Sequence, residues 1–275
     1  MSNPSDLSLR RRLIVIDIAL PIAIVLVFLG GWTFFAAVTA VLLITGWEVW
    51  RMFKKGGYAP SLAVIFLAIL GFTLSRQLWG FAYSHLVISA IILISMAVHV
   101  FQQQQGAATS AIDFMVTMGT SLYLGWIGSY AISIRALPDG LYWTLLVFPA
   151  VALADTGGYI FGRIFGKHKI ADIVSPKKTW EGYVGGILMS VVITWGLAAL
   201  FHFVAPEIVA SDGLWMGLVM AVFTPLGDFG ESMLKRQFNV KDSSHLLPGH
   251  GGAFDRIDSS LWAAVLGYTL IALLT

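Results

Sequence analysis

Between Asp228 and Asp258 the chain gathers five acidic side chains, four basic ones and two histidines into one glycine-containing stretch. It reads Asp228-Phe-Gly-Glu231-Ser232-Met-Leu-Lys235-Arg236, then Lys241-Asp242, then His250-Gly251-Gly252-Ala-Phe-Asp255-Arg256-Ile-Asp258. On a helix, Asp228, Glu231 and Lys235 fall at i, i+3 and i+7 and share a face, with Ser232 and Arg236 as an i, i+4 pair beside them. Asp255 and Asp258 stand one helical turn apart. Carboxylates converging from two helices make a hard oxygen site of the kind that takes Mg²⁺. Lysine and arginine offset phosphate charge, the first as a point charge and the second as a bidentate fork. Gly251-Gly252 lets a backbone approach a ligand closely. Acids, bases and glycines together describe a metal–phosphate site better than a proton relay, which has little use for so many cations.

The rest of the chain must position this cluster, and its composition says how. Hydrophobic residues make up 57% and charged residues only 12% of the sequence, with a mean hydropathy of +0.81. Ionisable groups concentrated beside lipid-facing segments usually mark a site. Apolar stretches of roughly 16 to 25 residues recur to the end of the chain, which predicts an all-α, polytopic integral membrane protein with about nine transmembrane helices. They are expected near 13–30, 32–50, 60–79, 83–101, 112–134, 140–162, 181–203, 213–234 and 257–274. The first, behind Arg10-Arg11-Arg12, resembles a signal peptide but is read as a retained span, because it is long and another follows at once. There is no cysteine, which excludes disulfides and thiolate metal sites. No nucleic-acid partner is expected.

With the N-terminus in the cytoplasm, alternating spans place 15 of the 17 Lys and Arg residues on the cytoplasmic side, as the positive-inside rule favours. Only Arg76 and Arg135 fall outside. Residues 1–150 then form N-terminal helices serving as scaffold and lipid access. Residues 151–275 form a catalytic region with cytoplasmic loops near 163–180 and 235–256. Trp32, Trp47, Trp50, Trp79, Trp143, Trp180 and Trp215 fall near span ends and are expected as interfacial anchors. Asp17, Glu48 and Asp113 are single acids near span ends without a motif and are read as structural.

The string from Ser232 through Lys235-Arg236, Lys241-Asp242 and Pro248-Gly-His250-Gly251-Gly252-Ala-Phe-Asp255-Arg256-Ile-Asp258 resembles the signature of the CDP-diacylglycerol synthases, or phosphatidate cytidylyltransferases, with its spacing intact over 27 positions. Ala253 departs from it, standing where the family usually has a larger aliphatic residue. Ala154-Asp155-Thr156-Gly157-Gly158-Tyr159 with Gly162-Arg163 resembles an earlier segment of that family, and Ser175-Pro176-Lys177-Lys178-Thr179-Trp180-Glu181-Gly182 its lysine loop. The match covers about the C-terminal half.

The resemblance implies the reaction CTP + phosphatidate → CDP-diacylglycerol + pyrophosphate, at the cytoplasmic face of a bacterial-type inner membrane. It supports a Mg²⁺ site, K⁺ as a second ion and a homodimer among membrane lipids. Asp228, Asp255 and Asp258 are then the expected metal carboxylates. Asp155 either joins them or holds Lys178 by a salt bridge. Lys235, Arg236, Lys241 and Arg256 are expected on the triphosphate and phosphatidate phosphate, with Lys177 and Lys178 on the nucleotide's phosphates. Ser232 offers a hydroxyl to the ion or a phosphate, and His250 a hydrogen bond to a phosphate or a carboxylate. Glu231 is equally a site residue or an ion-pair partner of Lys235. A transporter with an intramembrane ion site accounts for Asp155 and Asp228 beside glycine-broken helices, but not for the basic loop or its spacing. The Asp-Gly-…-Ala-Arg pattern of the CDP-alcohol phosphotransferases does not occur.

Overall fold

The computed structural model describes residues 20–244, 246 and 251–275; Arg10, Arg11, Arg12 and Asp17 lie outside them. In lipid a backbone N–H or C=O has no water to bond, so each apolar run closes its own hydrogen bonds as a helix. The helices are α1 (Leu20–Leu29), α2 (Gly31–Lys55), α3 (Leu62–Trp79), α4 (Ser84–Gln104), α5 (Ser110–Thr120), α6 (Tyr130–Arg135), α7 (Gly140–Phe165), α8 (Trp180–Phe201), α9 (Ala210–Phe223), α10 (Pro225–Gln237) and α11 (Phe254–Leu274). Among the described residues seven are long and apolar enough to cross a membrane: α2, α3, α4, α7, α8, α11 and the α9–α10 pair, Ala210–Gln237. The protein is a polytopic, all-α membrane protein.

Three expected spans look different. The first is described only as the short α1. The stretch expected at 112–134 is broken into α5, a π-helical turn (Ser121–Ile127) and α6. Gly125 in that turn lies where a Cβ would press on the Phe72 ring and the Ala68 carbonyl. The eighth is divided at Thr224, with Pro225 opening α10, a position where its missing N–H costs nothing.

The chain divides into two compact units, Met1–Ser133 with Gln237–Arg256, and Ile134–Arg236 with Ile257–Thr275. The core of the first holds Val64, Ala68, Phe72, Ile91 and Met118. Arg76 is buried at the end of α3. Its Nη1 donates to Ser84 Oγ at 2.6 Å, and its guanidinium lies 3.5 Å from the Phe81 ring centre and 4.5 Å from that of Trp126. Hydrogen bonds to Ser84, Ser129 and the Gly80 carbonyl and these cation–π contacts hold the desolvated arginine there.

The core of the second unit includes Leu146, Val147, Met216, Met220 and Ala263. Trp143, expected at the interface, belongs to it and is 2% exposed. Helices α7 and α8 cross with backbones in contact. A Cβ on Gly186 would strike the Ala154 carbonyl, and one on Gly182 the Gly158 carbonyl. Small residues allow this approach where no apolar solvent effect drives helices together. Between the two helices the expected 163–180 loop forms an antiparallel hairpin, β1 (Lys169–Ala171) and β2 (Ser175–Thr179). Its base is fastened by Glu181, which accepts from the Lys167 amide at 3.1 Å and contacts His168 Nδ1 at 2.6 Å.

Candidate active site

In the second unit, Asp228 and Glu231 on α10 meet Asp258 on α11. One carboxylate oxygen from each lies within 4.8 Å of the others. Gly227 makes this possible, because any side chain there would run into the Asp258 carbonyl and Ser259. Glu231 is 2% and Asp258 9% exposed, while Asp228 is half-buried. The face predicted at i, i+3 and i+7 therefore exists.

Two lysines stand against these acids. Lys178, from β2, forms an ion pair with Asp228 Oδ2 and lies 4.8 Å from the Phe229 ring centre. Lys235 Nζ donates to Glu231 Oε2 at 2.9 Å, so Glu231 is both ion-pair partner and cluster member. Asp258 Oδ1 accepts from the Ser259 amide at 2.7 Å. Three acids converge beside two ammonium groups, and like charges repel strongly where water is scarce. Three hard oxygen donors within 4.8 Å of one another suit a small divalent cation that keeps several waters.

Asp155, on α7, borders a pocket and lies within electrostatic range of Lys178 and Asp228. The ion pair of Lys178 is with Asp228, not Asp155. A pocket of about 470 Å³ opens here, lined by Asp155, Lys177 and Lys178 at its polar side and by Tyr159, Tyr183 and Phe229 among its apolar walls. Ser232 is half-buried and Arg236 exposed on α10.

The remaining candidates belong to the first unit. Asp255 Oδ2 accepts from the Ser243 amide at 2.9 Å, the Ser243 hydroxyl at 2.6 Å and the Gly252 amide at 2.9 Å. One oxygen of this expected metal ligand is therefore engaged in holding its own loop. Gly251 has φ +81°, the left-handed region that glycine enters without penalty. Lys241 lines a separate pocket with Arg51, Lys55 and Ser243, and Arg256 is exposed. His250 lies outside the described residues.

Sequence reasoning missed Glu48. This acid of α2 is fully buried and accepts from Ser244 Oγ and from the backbone amides of Ala253 and Phe254. Nothing within its own segment signals a partner some 200 residues away; only its presence inside an apolar span marks it as needing one.

Carboxylates and lysines gathered on membrane-spanning helices beside a pocket are suited to a membrane enzyme that handles phosphate groups. A family model described as "Cytidylyltransferase family" matches residues 10–274. The chain is 31% identical to a phosphatidate cytidylyltransferase of Staphylococcus haemolyticus, over 93% of this chain and 96% of that protein. It is 30% identical to one from Synechocystis, over 96% and 97% of the two chains, and 31% identical to one from Mycobacterium bovis, over 97% and 89%. The chain belongs to the cytidylyltransferase family.

Proposed function

We propose that this chain transfers the cytidylyl group of CTP to phosphatidate, giving CDP-diacylglycerol and pyrophosphate for phospholipid synthesis. The observation that carries the proposal is the meeting of Asp228, Glu231 and Asp258 beside Lys178 and Lys235, in a chain of this family.

A phosphate oxygen of phosphatidate attacks the α-phosphorus of CTP. The new P–O bond forms as the bond from that phosphorus to the bridging oxygen breaks, and pyrophosphate leaves with the electron pair. The nucleophile is already an anion at neutral pH, so positioning and charge stabilisation do most of the work. Lys177 and Lys178 present ammonium groups at the pocket, and Lys235 and Arg236 add charge along α10. Lys241, Arg256 and the Gly251-Gly252 backbone are further phosphate contacts. Asp228, Glu231 and Asp258, with Asp155 as a fourth carboxylate, would hold Mg²⁺, with K⁺ as a second ion, and the bound ion would supply charge compensation on phosphate oxygens. The largely apolar pocket, with Asp155, Lys177 and Lys178 at its polar side, suits a substrate whose headgroup is charged and whose tails stay in lipid.

The membrane is a bacterial-type inner membrane, with the N-terminus and the site on the cytoplasmic side where CTP is found. The distribution of Lys and Arg supports this orientation, and the family resemblance supports a homodimer. The test is purified protein with radiolabelled CTP, phosphatidate and Mg²⁺. The expected result is a lipid-extractable cytidine nucleotide formed one-for-one with pyrophosphate. Label that stays in the aqueous phase under these conditions overturns the assignment.

A further inference from the structure

We infer that Glu48 is a positioning residue for the segment that carries Gly251, Gly252, Asp255 and Arg256. The inference rests on the function proposed above. Glu48 belongs to α2, in a region expected only to serve as scaffold. Its carboxylate has four neighbours that can donate to it. Oε1 faces the Ser244 hydroxyl at 2.5 Å and the Ala253 amide at 3.0 Å. Oε2 faces the Phe254 amide at 2.8 Å and the Ser243 hydroxyl at 3.1 Å.

Chemistry sets the division of labour. The Ser243 hydroxyl has one proton and two carboxylates within reach; the contact to Asp255 Oδ2, at 2.6 Å, is the shorter. Asp255 thus takes Ser243, and Glu48 takes Ser244 together with the amides of Ala253 and Phe254. Those amides lie at the start of α11, where backbone N–H groups have no intrahelical acceptor and a negative charge is favoured. Two carboxylates therefore join residues 243–244 to residues 252–254, the two flanks of residues 245–251. The fit has no slack at Gly252, where an added Cβ would stand 2.5 Å from Glu48 Oε1.

This arrangement explains why a buried acid is kept in an apolar helix. Without it the two flanks lose a shared acceptor, and the backbone amides and cations of the segment lose their common register. Glutamine at position 48 keeps the shape but not the chemistry. Its amide has one acceptor oxygen, so its NH₂ must face either the Ala253 N–H or the Phe254 N–H, donor against donor.

The test compares Glu48→Gln with Asp113→Asn, a matched change at another fully buried acid of the same unit, one that accepts from the Ala59 amide and the Thr109 hydroxyl. Thermal midpoint, kcat, KM for CTP and amide hydrogen exchange over residues 251–255 are measured on the full-length protein in detergent. Glu48→Gln is expected to lower kcat by about 100-fold, the order expected when reacting groups lose alignment by about 1 Å. It is also expected to speed exchange over 251–255 at least tenfold, while Asp113→Asn leaves that exchange at the wild-type rate. Wild-type exchange in Glu48→Gln, or an equal loss of kcat in Asp113→Asn at equal thermal midpoint, overturns the inference. If Glu48→Gln does not fold, Ser244→Ala decides: it deletes one donor, and unchanged exchange and kcat contradict the positioning role. A wild-type protein that transfers no cytidylyl group sinks the proposed function instead, and the exchange comparison still decides the role of Glu48.

Discussion

Lys178, on the second strand of the hairpin, is ion-paired with Asp228 in the first turn of α10. The pair ties a cationic strand to the acidic cluster at the edge of a pocket. Both side chains are over a quarter exposed, so the pair contributes little to stability, on the order of 0.2–1 kcal/mol. Under the proposed function its value lies in placing an ammonium group where phosphates would bind.

Lys178→Met is therefore expected to leave the thermal midpoint almost unchanged while raising KM for CTP or phosphatidate and lowering kcat. Steady-state kinetics with each substrate varied in turn would check this. Wild-type kinetics in the variant would reduce Lys178 to a topology charge.

Asp228→Asn and Asp258→Asn are each expected to reduce transfer to a trace with the protein still folded in detergent. Residual activity should demand far more Mg²⁺ than the wild type, since each variant removes a charged oxygen from the same cluster. Titration of activity against Mg²⁺ reads this directly; an unchanged Mg²⁺ dependence removes that residue from the ligand set.

Gly227→Ala changes no charge and touches no substrate. Its new Cβ would press on the Asp258 carbonyl and Ser259, so α10 and α11 must separate. The expected cost is about 1–3 kcal/mol, as for other overpacked sites, together with an activity loss larger than that destabilisation explains. Denaturation and kcat measured on one preparation would separate the two effects. Full activity would show that the carboxylates tolerate a shift between the helices.

Lys235→Met removes one ion-pair partner of Glu231, held at 2.9 Å in a buried site. Loss of a buried ion-pair contact is destabilising, so the variant is expected to lower the thermal midpoint. Adding Glu231→Gln to Lys235→Met should recover part of that stability without recovering activity. A double-mutant cycle on thermal midpoints reports the coupling; additive losses would mean that the pair is not coupled.

Much of this arrangement is legible in the sequence because it is local. Long apolar runs predict the membrane helices, and the spacing of Asp228, Glu231 and Lys235 predicts their common face. The resemblance of the 232–258 string to one family agrees with the family match over residues 10–274. What escaped is either short or remote. The hairpin strands of three and five residues carry lysines without apolar alternation, so they read as loop. The π-helical turn keeps the apolar character of a helix and leaves no mark in the pattern. The pairing of Glu48 with Ala253 and Phe254 spans nearly the whole chain, and no local period reports it. Trp143 shows the converse: a tryptophan near a span end looks interfacial until packing claims it for the core.

The central claim is that carboxylates of α10 and α11 hold the divalent ion on which cytidylyl transfer depends. The most direct measurement is anomalous scattering from crystals of active protein soaked in Mn²⁺ in place of Mg²⁺. The account predicts a peak at coordination distance from Asp228 and Asp258. Mn²⁺-supported activity with the only ordered ion bound away from both carboxylates would contradict it.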